Sequence, residues 1–133
     1  MINCTDELRR HNLKATPQRL AISSALHSCG HINVDALYEL MLKKFNSISL
    51  ATIYKNINLM LENSYIQEVK IPQNKSVYEL TKSYHSHLIC INCGEIDDIK
   101  LNMNPIISEV SSSSNFEISK TDVVLSGICK KCQ

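Results

Sequence analysis

Four of the six cysteines stand in two Cys-x-x-Cys pairs, Cys90 with Cys93 and Cys129 with Cys132. A Cys-x-x-Cys turn brings two thiolates within reach of one tetrahedral ion, and two such turns complete a four-sulfur zinc site. Structural disulfides are one alternative, although a reducing cytoplasm disfavours them. A redox-active dithiol is another, although it usually needs one pair beside the start of a helix. The spacing therefore favours structural zinc held by all four thiolates.

A second group of possible ligands combines imidazoles with carboxylates. His85 and His87 are two residues apart, so on a strand both side chains point to one side. Glu79 and Asp98 lie near them in the sequence, and His31 lies in a short link before a predicted helix. A set without a thiolate suits iron, manganese or zinc rather than copper(I). The alternative is an incidental His-x-His beside an acid.

The remaining cysteines and histidines have no other possible metal ligands near them at ligand spacing in the sequence. Cys4 and Cys29 have no partner at ligand spacing, so we expect one exposed thiol and one packed at a helix end. His11 and His27 are expected to be ordinary surface residues.

The helices and strands predicted to position these residues fall into two groups, which divide near residue 80. Helix caps are predicted at Thr5 or Asp6, Thr16, Asn33 and Ser49. Pro17 suits the first helical position, and Gly30 is a plausible helix stop. Alternation over residues 65–71 and 76–80, around a turn at 72–75, predicts a β-hairpin. Helices followed by a hairpin are typical of a winged helix, in which the last helix enters a DNA groove.

The fourth predicted helix has an apolar side and a polar side. The apolar stripe is formed by Ile53, Ile57, Met60 and Leu61, and the residues expected to fall largely off it are Thr52, Lys55, Asn56 and Asn63. A hydrogen-bonding face of this kind is what reading of the major groove needs. The alternative is an ordinary surface helix.

The second half of the chain is short. Strands are predicted at 87–91, 96–99, 116–118 and 122–125, a helix at 103–112, and a polar loop from Ser111 to Ser114. So few residues bury little apolar area, and a unit of this size usually needs a metal, disulfides or a partner subunit. We predict a first domain at 1–80, a hinge at 81–84 and a second domain at 85–133.

The composition of the chain narrows the class of protein to which it can belong. The chain has 133 residues, 44% of them apolar and 20% charged, so a folded protein is expected. No apolar run approaches the roughly 20 residues of a membrane helix, and no secretory signal is visible, so we expect a cytoplasmic protein with no membrane partner. Residues 1–80 carry nine Lys/Arg against seven Asp/Glu, a weak excess that is compatible with nucleic-acid binding.

Three stretches of the chain resemble the ferric uptake regulator (Fur) family of metal-dependent bacterial repressors, namely residues 13–19, 49–56 and 85–94. The terminal Cys129 pair matches the family as well. The resemblance covers nearly the whole chain in family order. It implies an α+β protein with an N-terminal winged-helix DNA-binding domain and a small C-terminal α/β dimerisation domain carrying the four-cysteine zinc site. It also implies a homodimer that binds a palindromic double-stranded operator as a repressor.

The resemblance assigns roles to further residues. A regulatory Fe²⁺ or Mn²⁺ ion is implied to join the two domains through His31, Glu79, His85, His87 and Asp98. Tyr54 and its neighbours match the family's recognition helix, and the implied DNA-binding residues are Arg19, Thr52, Tyr54, Lys55, Asn56, Lys70 and Lys75.

Within the family, Asp98 favours the peroxide-sensing branch over the iron-uptake branch, which usually has glutamate there. The iron branch also has histidine and aspartate where this chain has Tyr84 and Ser86, and a histidine that residues 119–122 lack. Against the peroxide branch, Glu79 replaces its common aspartate, and Asp97 beside Asp98 allows a one-residue misassignment. Iron-uptake sensing is therefore the alternative within the family, followed by sensing of zinc or another metal.

The peroxide-sensing branch implies a definite chemistry. Ferrous iron at the site reacts with hydrogen peroxide, and a ligand imidazole at His31 or His85 is oxidised, so that the metal leaves and repression ends. Manganese holds the same site without this reaction. Because the protein oxidises itself without turnover, we do not expect an enzyme. A thiol redox protein and a zinc-ribbon interaction module are the alternatives from other classes.

Overall fold

The computed structural model describes residues 3–133, which divide into two compact units. The first unit ends at Lys82 and the second runs from Ser83 to Gln133. This division falls within the predicted hinge at 81–84, and motion at that hinge stays a prediction. Within the described residues, every helix is too short or too polar to cross a membrane.

The first unit consists of four helices followed by a two-stranded hairpin, which is the winged-helix order predicted from the sequence. The elements are α1 (Cys4–Arg10), α2 (Pro17–Cys29), α3 (Val34–Lys44), α4 (Leu50–Glu62), β1 (Ile66–Val69) and β2 (Val77–Leu80). The strands β1 and β2 are antiparallel, and their register places Gln67 opposite Glu79. An isolated bridge between Ile32 and Tyr78 attaches the link before α3 to β2.

Most of the predicted helix ends are confirmed. A side-chain oxygen accepts a backbone N–H from the third residue on at Thr16, Asn33 and Ser49. Gly30 ends α2 with a φ of 75°, a conformation that costs glycine little because it has no Cβ. These signals are local to the chain, which is why the sequence reveals them.

The predicted cap of the first helix is wrong. Asn3 is the N-cap of α1, and its side chain accepts the backbone N–H of Asp6. Asp6 therefore lies in the first turn, where its carboxylate favours the positive end of the helix dipole, and Thr5 is already helical.

Helix α4 carries the predicted apolar stripe into the core. Ile53, Ile57 and Met60 are no more than 1% exposed. The expectation that Asn56 lies on the polar side is wrong, because this residue is only 7% exposed. Asn56 comes three residues after Ile53 and four before Met60, a spacing that places it on the same face of a helix.

The second unit contains a three-stranded sheet and one longer helix. Its elements are β3 (Ser86–Cys90), β4 (Ile96–Ile99), α5 (Asn104–Ser114), β5 (Val124–Gly127) and a short 3₁₀ turn (Lys130–Cys132). The strand order is β4-β3-β5, with β3 antiparallel to β4 and parallel to β5.

Three predicted features of the second unit are wrong. The serine run is helical rather than a loop, and Ser114 Oγ donates to the carbonyl of Val110 inside the last turn. Residues 116–118 have no regular secondary structure and pair with no strand, so they are not a strand of the sheet. Strand β5 begins at Val124, two residues later than predicted, because its pairing with β3 starts there, opposite His87.

The second unit has little apolar core of its own. Over the fully described residues 83–133, the buried residues are His85, Ser86, His87 and Cys90. Large apolar side chains are exposed instead, among them Ile91 at 70% and Phe116 at 68%. Apolar burial of this extent cannot hold a 50-residue unit together, so a metal or another chain must contribute.

Candidate metal centres and nucleic-acid interface

The four cysteines of the two pairs meet at one end of the sheet of the second unit. Cys90 ends β3, Cys93 lies in the turn after it, and Cys129 and Cys132 flank and end the 3₁₀ turn. Their sulfur atoms all lie within 4.8 Å of one another, and the Sγ atoms of Cys93 and Cys129 are 3.8 Å apart. Four sulfurs at about 2.3 Å from a tetrahedral zinc ion lie about 3.8 Å apart. The cluster therefore has the composition and size of a structural zinc site.

Backbone amides prepare one of these thiols for a cation. The Sγ atom of Cys90 accepts the N–H of Cys129 at 3.3 Å and that of Cys93 at 3.5 Å. These hydrogen bonds, that from Cys129 first, lower the pKa of Cys90 from 9.0 to about 6. Hydrogen bonding with the Cys132 thiol instead raises the pKa of Cys129 to about 12. One thiolate of the cluster is stabilised by the protein itself. Deprotonation of the other three thiols would require a metal ion to balance their negative charge.

Disulfides do not form among the described cysteines. All six thiols are free, and a sulfur separation of 3.8 Å is far longer than the roughly 2.05 Å of a disulfide bond. Cys29 is exposed, and Cys4 is half-buried at the first residue of α1. One exposed thiol and one packed at a helix end are what the sequence predicts.

In the first unit, His31 lies beside the carboxylate of Glu79. The bridge between Ile32 and Tyr78 aligns the link before α3 with β2, so that the residues on either side of it become neighbours. His31 Nε2 is 2.7 Å from Glu79 Oε2, and the glutamate side chain is 1% exposed. Gln67, across the hairpin, donates to the other oxygen, Oε1, at 2.6 Å. The amide of Gln67 thus fixes the orientation of a buried carboxylate that could bind a metal ion.

In the second unit, two imidazoles face one carboxylate. His85 and His87 flank Ser86, the first residue of β3, and the register of β3 with β4 places Asp98 opposite His87. The Nε2 atoms of both histidines are 3.6 Å from Asp98 Oδ1. Neighbouring ligand atoms of one ion at about 2.1 Å are separated by roughly 3 to 3.5 Å. Asp98 therefore contacts the rings, whereas Asp97 pairs with Leu88 on the opposite face of the sheet.

The tautomer of His85 also suits a ligand. Its Nδ1 atom is 2.8 Å from the carbonyl oxygen of Ser83, so Nδ1–H donates to this carbonyl and Nε2 is the ring nitrogen that faces Asp98. A backbone carbonyl that holds the second ring nitrogen is common at histidines that bind metals. Sequence patterns did not reveal this role of Ser83, because it depends on the backbone geometry before β3.

The predicted DNA-binding residues of the first unit lie on α2, α4 and the hairpin. Tyr54 and Lys55 are exposed on α4, and Thr52 is half-buried there. Lys70 and Lys75 are exposed at the hairpin. Arg19, in the first turn of α2, is half-buried as well, and Asn56 is buried.

One of these cations already has a partner within the unit. Lys75 Nζ contacts the carboxylate of Asp35 on α3, and this pair raises the pKa of Lys75. Both side chains are more than half exposed, so the pair contributes little stability and is easily exchanged for another anion.

The expectation that His11 and His27 are ordinary surface residues is wrong. Both are half-buried. His11 Nδ1 is 3.2 Å from the carbonyl oxygen of Asn63, and its ring packs edge-on against Tyr65. His27 Nε2 is 3.0 Å from Glu7 Oε2. These contacts join residues far apart in the sequence, which local patterns do not reveal.

A winged helix, a four-thiol cluster and sets of nitrogen and oxygen ligands together define the class of metal-responsive DNA-binding regulators. The model of the ferric uptake regulator family matches residues 10–126, and the chain belongs to that family. Its members are metal-dependent transcriptional regulators rather than enzymes.

Individual relatives divide between the branches of the family. The peroxide-responsive repressor PerR of Staphylococcus aureus is 30% identical over 128 residues, 95% of this chain and 86% of that protein. The Campylobacter jejuni peroxide stress regulator is 32% identical and superposes with a TM-score of 0.71, over 98% of this chain and 100% of that structure. The Vibrio cholerae ferric uptake regulator is 27% identical with a TM-score of 0.77, over 96% of this chain and 100% of that structure.

Proposed function

We propose that this protein is a peroxide-sensing repressor that binds operator DNA only while a regulatory Fe²⁺ or Mn²⁺ ion is held. The observation that carries the proposal is the ligand chemistry: each unit offers imidazole nitrogens beside a carboxylate, and neither set includes a thiolate. The similarity to two proteins named for their response to peroxide, at 30% and 32% identity, supports this branch.

The regulatory ion would be held by His31 and Glu79 of the first unit together with His85, His87 and Asp98 of the second. Ligands drawn from both units favour whichever arrangement brings them together. A hundredfold preference for that arrangement supplies about 2.7 kcal/mol of bias. The four thiolates would hold zinc permanently and keep the second unit folded.

In the DNA complex, α4 would enter the major groove of a palindromic operator and the hairpin would lie along the backbone. Thr52, Tyr54 and Lys55 would face the DNA, and Arg19, Lys70 and Lys75 would contact phosphates. The apolar side chains exposed on the second unit would be covered by a second copy of the chain, giving a homodimer. Action on chromosomal DNA would take place in the cytoplasm.

When bound, ferrous iron would activate the O–O bond of hydrogen peroxide, and it would be unchanged in the net reaction because the imidazole ring provides both electrons. In the net reaction, one peroxide oxygen is inserted into a C–H bond of the imidazole of His31 or His85, and the other leaves as water. The ring loses two electrons and gains one oxygen atom. An oxidised ring is a poorer ligand, so the two units are released from each other and the operator is freed.

Mass spectrometry of the protein after a low dose of hydrogen peroxide tests this proposal, with ferrous and manganese-loaded samples compared. We expect one added oxygen on His31 or His85 and loss of operator binding with iron, and neither change with manganese. Unmodified histidines in a protein that still needs iron to bind DNA would indicate iron-uptake sensing instead. Reversible oxidation of Cys90 and Cys93 without any DNA binding would indicate a thiol redox protein, and zinc without DNA binding an interaction module.

Thiol oxidation must be separated from ring oxidation in this experiment. Trypsin leaves Cys29 and His31 in one peptide, and His85 shares another with Cys90 and Cys93. The added oxygen therefore has to be located by fragmentation within each peptide. The variant Cys29→Ser is the matched control, because it removes the exposed thiol nearest His31 in sequence and should leave ring oxidation unchanged.

A further inference from the structure

Two uncharged acceptors hold the guanidinium of Arg19 in one orientation. Its Nε–H donates to Oδ1 of Asn56 at 3.1 Å, and Nη1–H donates to the carbonyl of Lys14 at 3.2 Å. Both acceptors are uncharged, and Arg19 forms no ion pair with any residue in the described range 3–133. Three of the five N–H donors of the guanidinium are left for another acceptor. A fixed, uncompensated guanidinium suits a phosphate oxygen.

Both polar atoms of the Asn56 amide have partners inside the protein. Nδ2 donates to the carbonyl of Thr52 at 3.0 Å, one turn back along α4, while Oδ1 accepts from Arg19. The orientation of the amide follows from chemistry, because arginine has no acceptor and only the oxygen of Asn56 can face it. At 7% exposure, this residue presents little surface with which to contact a base.

We propose that Asn56 is a positioning residue that presents Arg19 to a DNA phosphate and does not itself read a base. The inference rests on the proposed DNA binding and deepens it. The contact joins α4 to the first turn of α2. Arg19 would therefore meet its phosphate at the same time as α4 enters the groove. Without the amide, Arg19 has to be ordered when DNA binds, which weakens binding.

The test measures operator affinity of the intact, manganese-loaded protein against salt concentration, using a palindromic duplex that the wild-type protein selects from random sequences. We expect Asn56→Ala to bind about three- to tenfold more weakly with the salt slope nearly retained. Arg19→Ala should weaken binding about tenfold or more and reduce the slope by about 1. The double variant should bind like Arg19→Ala alone, because Asn56 acts through Arg19.

Two further variants sharpen this test. Asn56→Asp keeps the size of the side chain but neutralises Arg19, so the salt slope should fall by about 1 even where Asn56→Ala proves unstable. Asn58→Ala is the matched control, since Asn58 is an exposed asparagine of the same helix. Any effect of Asn58→Ala should add to that of Arg19→Ala.

Three results would overturn the inference: additivity of Asn56→Ala with Arg19→Ala, a changed base preference in Asn56→Ala, or an unchanged salt slope in both Arg19→Ala and Asn56→Asp. Failure of the proposed function looks different, because the wild-type protein itself would then bind no operator with or without manganese.

Discussion

Glu7 joins three parts of the first unit through one carboxylate oxygen. Its Oε2 atom lies 3.0 Å from His27 Nε2 on α2 and accepts the hydroxyl of Tyr65 at 3.2 Å. The same hydroxyl hydrogen-bonds to Ser23, a residue with no exposed surface. Burial, as the first cause, raises the pKa of Tyr65 to about 12. The short helix α1 is thus attached by polar contacts as well as by Leu8 in the core.

The raised pKa of Tyr65 predicts a loss of stability at high pH. Since the folded pKa exceeds the ordinary value of 10, the stabilisation is complete below pH 10 and is lost as the pH rises toward 12. We expect this group to lower the free energy of unfolding by about 1.4 kcal/mol between pH 9 and pH 11. Urea unfolding of the wild type and of Tyr65→Phe at the two pH values measures the difference.

The variant Tyr65→Phe should lack this pH-dependent component. It should also be about 1–3 kcal/mol less stable at pH 7, because the buried hydroxyl of Ser23 loses its partner. The exposed Tyr54, changed to Phe, serves as the control and should keep the fall seen in the wild type. An identical fall in Tyr65→Phe would contradict the assignment.

Among the elements, α4 has a well-packed apolar face but a weakly stabilised N-terminus. Its apolar stripe anchors the helix in the first unit, whereas its N-terminus depends on the hydroxyl of Ser49, which accepts the N–H of Thr52 at 3.1 Å. Neither the first nor the last turn of α4 carries a charge that complements the helix dipole.

Removal of this cap should therefore be measurable. We expect Ser49→Ala to lower the free energy of unfolding by about 1 kcal/mol, because an amide at the start of the helix loses its acceptor. Ser49→Asn supplies another side-chain oxygen and should recover most of the loss. Equal stability of wild type and Ser49→Ala in urea unfolding would show that water replaces the hydroxyl without cost.

At the scale of the whole molecule, the two units are stabilised differently. The first unit has an apolar core that includes Leu8, Ile22, Leu26, Leu37, Met41, Ile53, Ile57 and Met60. The second has exposed apolar side chains and the cluster of four thiols. A four-thiolate zinc site contributes on the order of 10 kcal/mol to folding.

Removal of zinc should consequently unfold the second unit alone. After treatment with a strong chelator, we expect limited proteolysis to cut within residues 83–133 and to leave the first unit intact. Cys132→Ser should behave like the chelated protein, whereas Cys29→Ser, which changes a thiol outside the cluster, should resist proteolysis. Resistance of residues 83–133 after measured loss of zinc would contradict the prediction.

Features that depend on near neighbours along the chain can be read from the sequence alone. The zinc ligands follow from two Cys-x-x-Cys spacings, and the hairpin from alternation around one turn. The caps at Thr16, Asn33 and Ser49 follow from hydrogen bonds that span three residues. Each of these signals is contained in a short stretch of chain, because the groups that interact are held together by the covalent backbone.

Features that depend on distant partners emerge only in the folded chain. Asn56 is polar, which predicts an outward position, but its neighbour in space is Arg19, 37 residues away. Pairing of β3 with β4 selects Asp98 over Asp97 as the carboxylate beside the histidines. Residues 116–118 have the composition of a strand but no strand to pair with. Burial and pairing are properties of the assembled unit, and no short segment of the chain contains them.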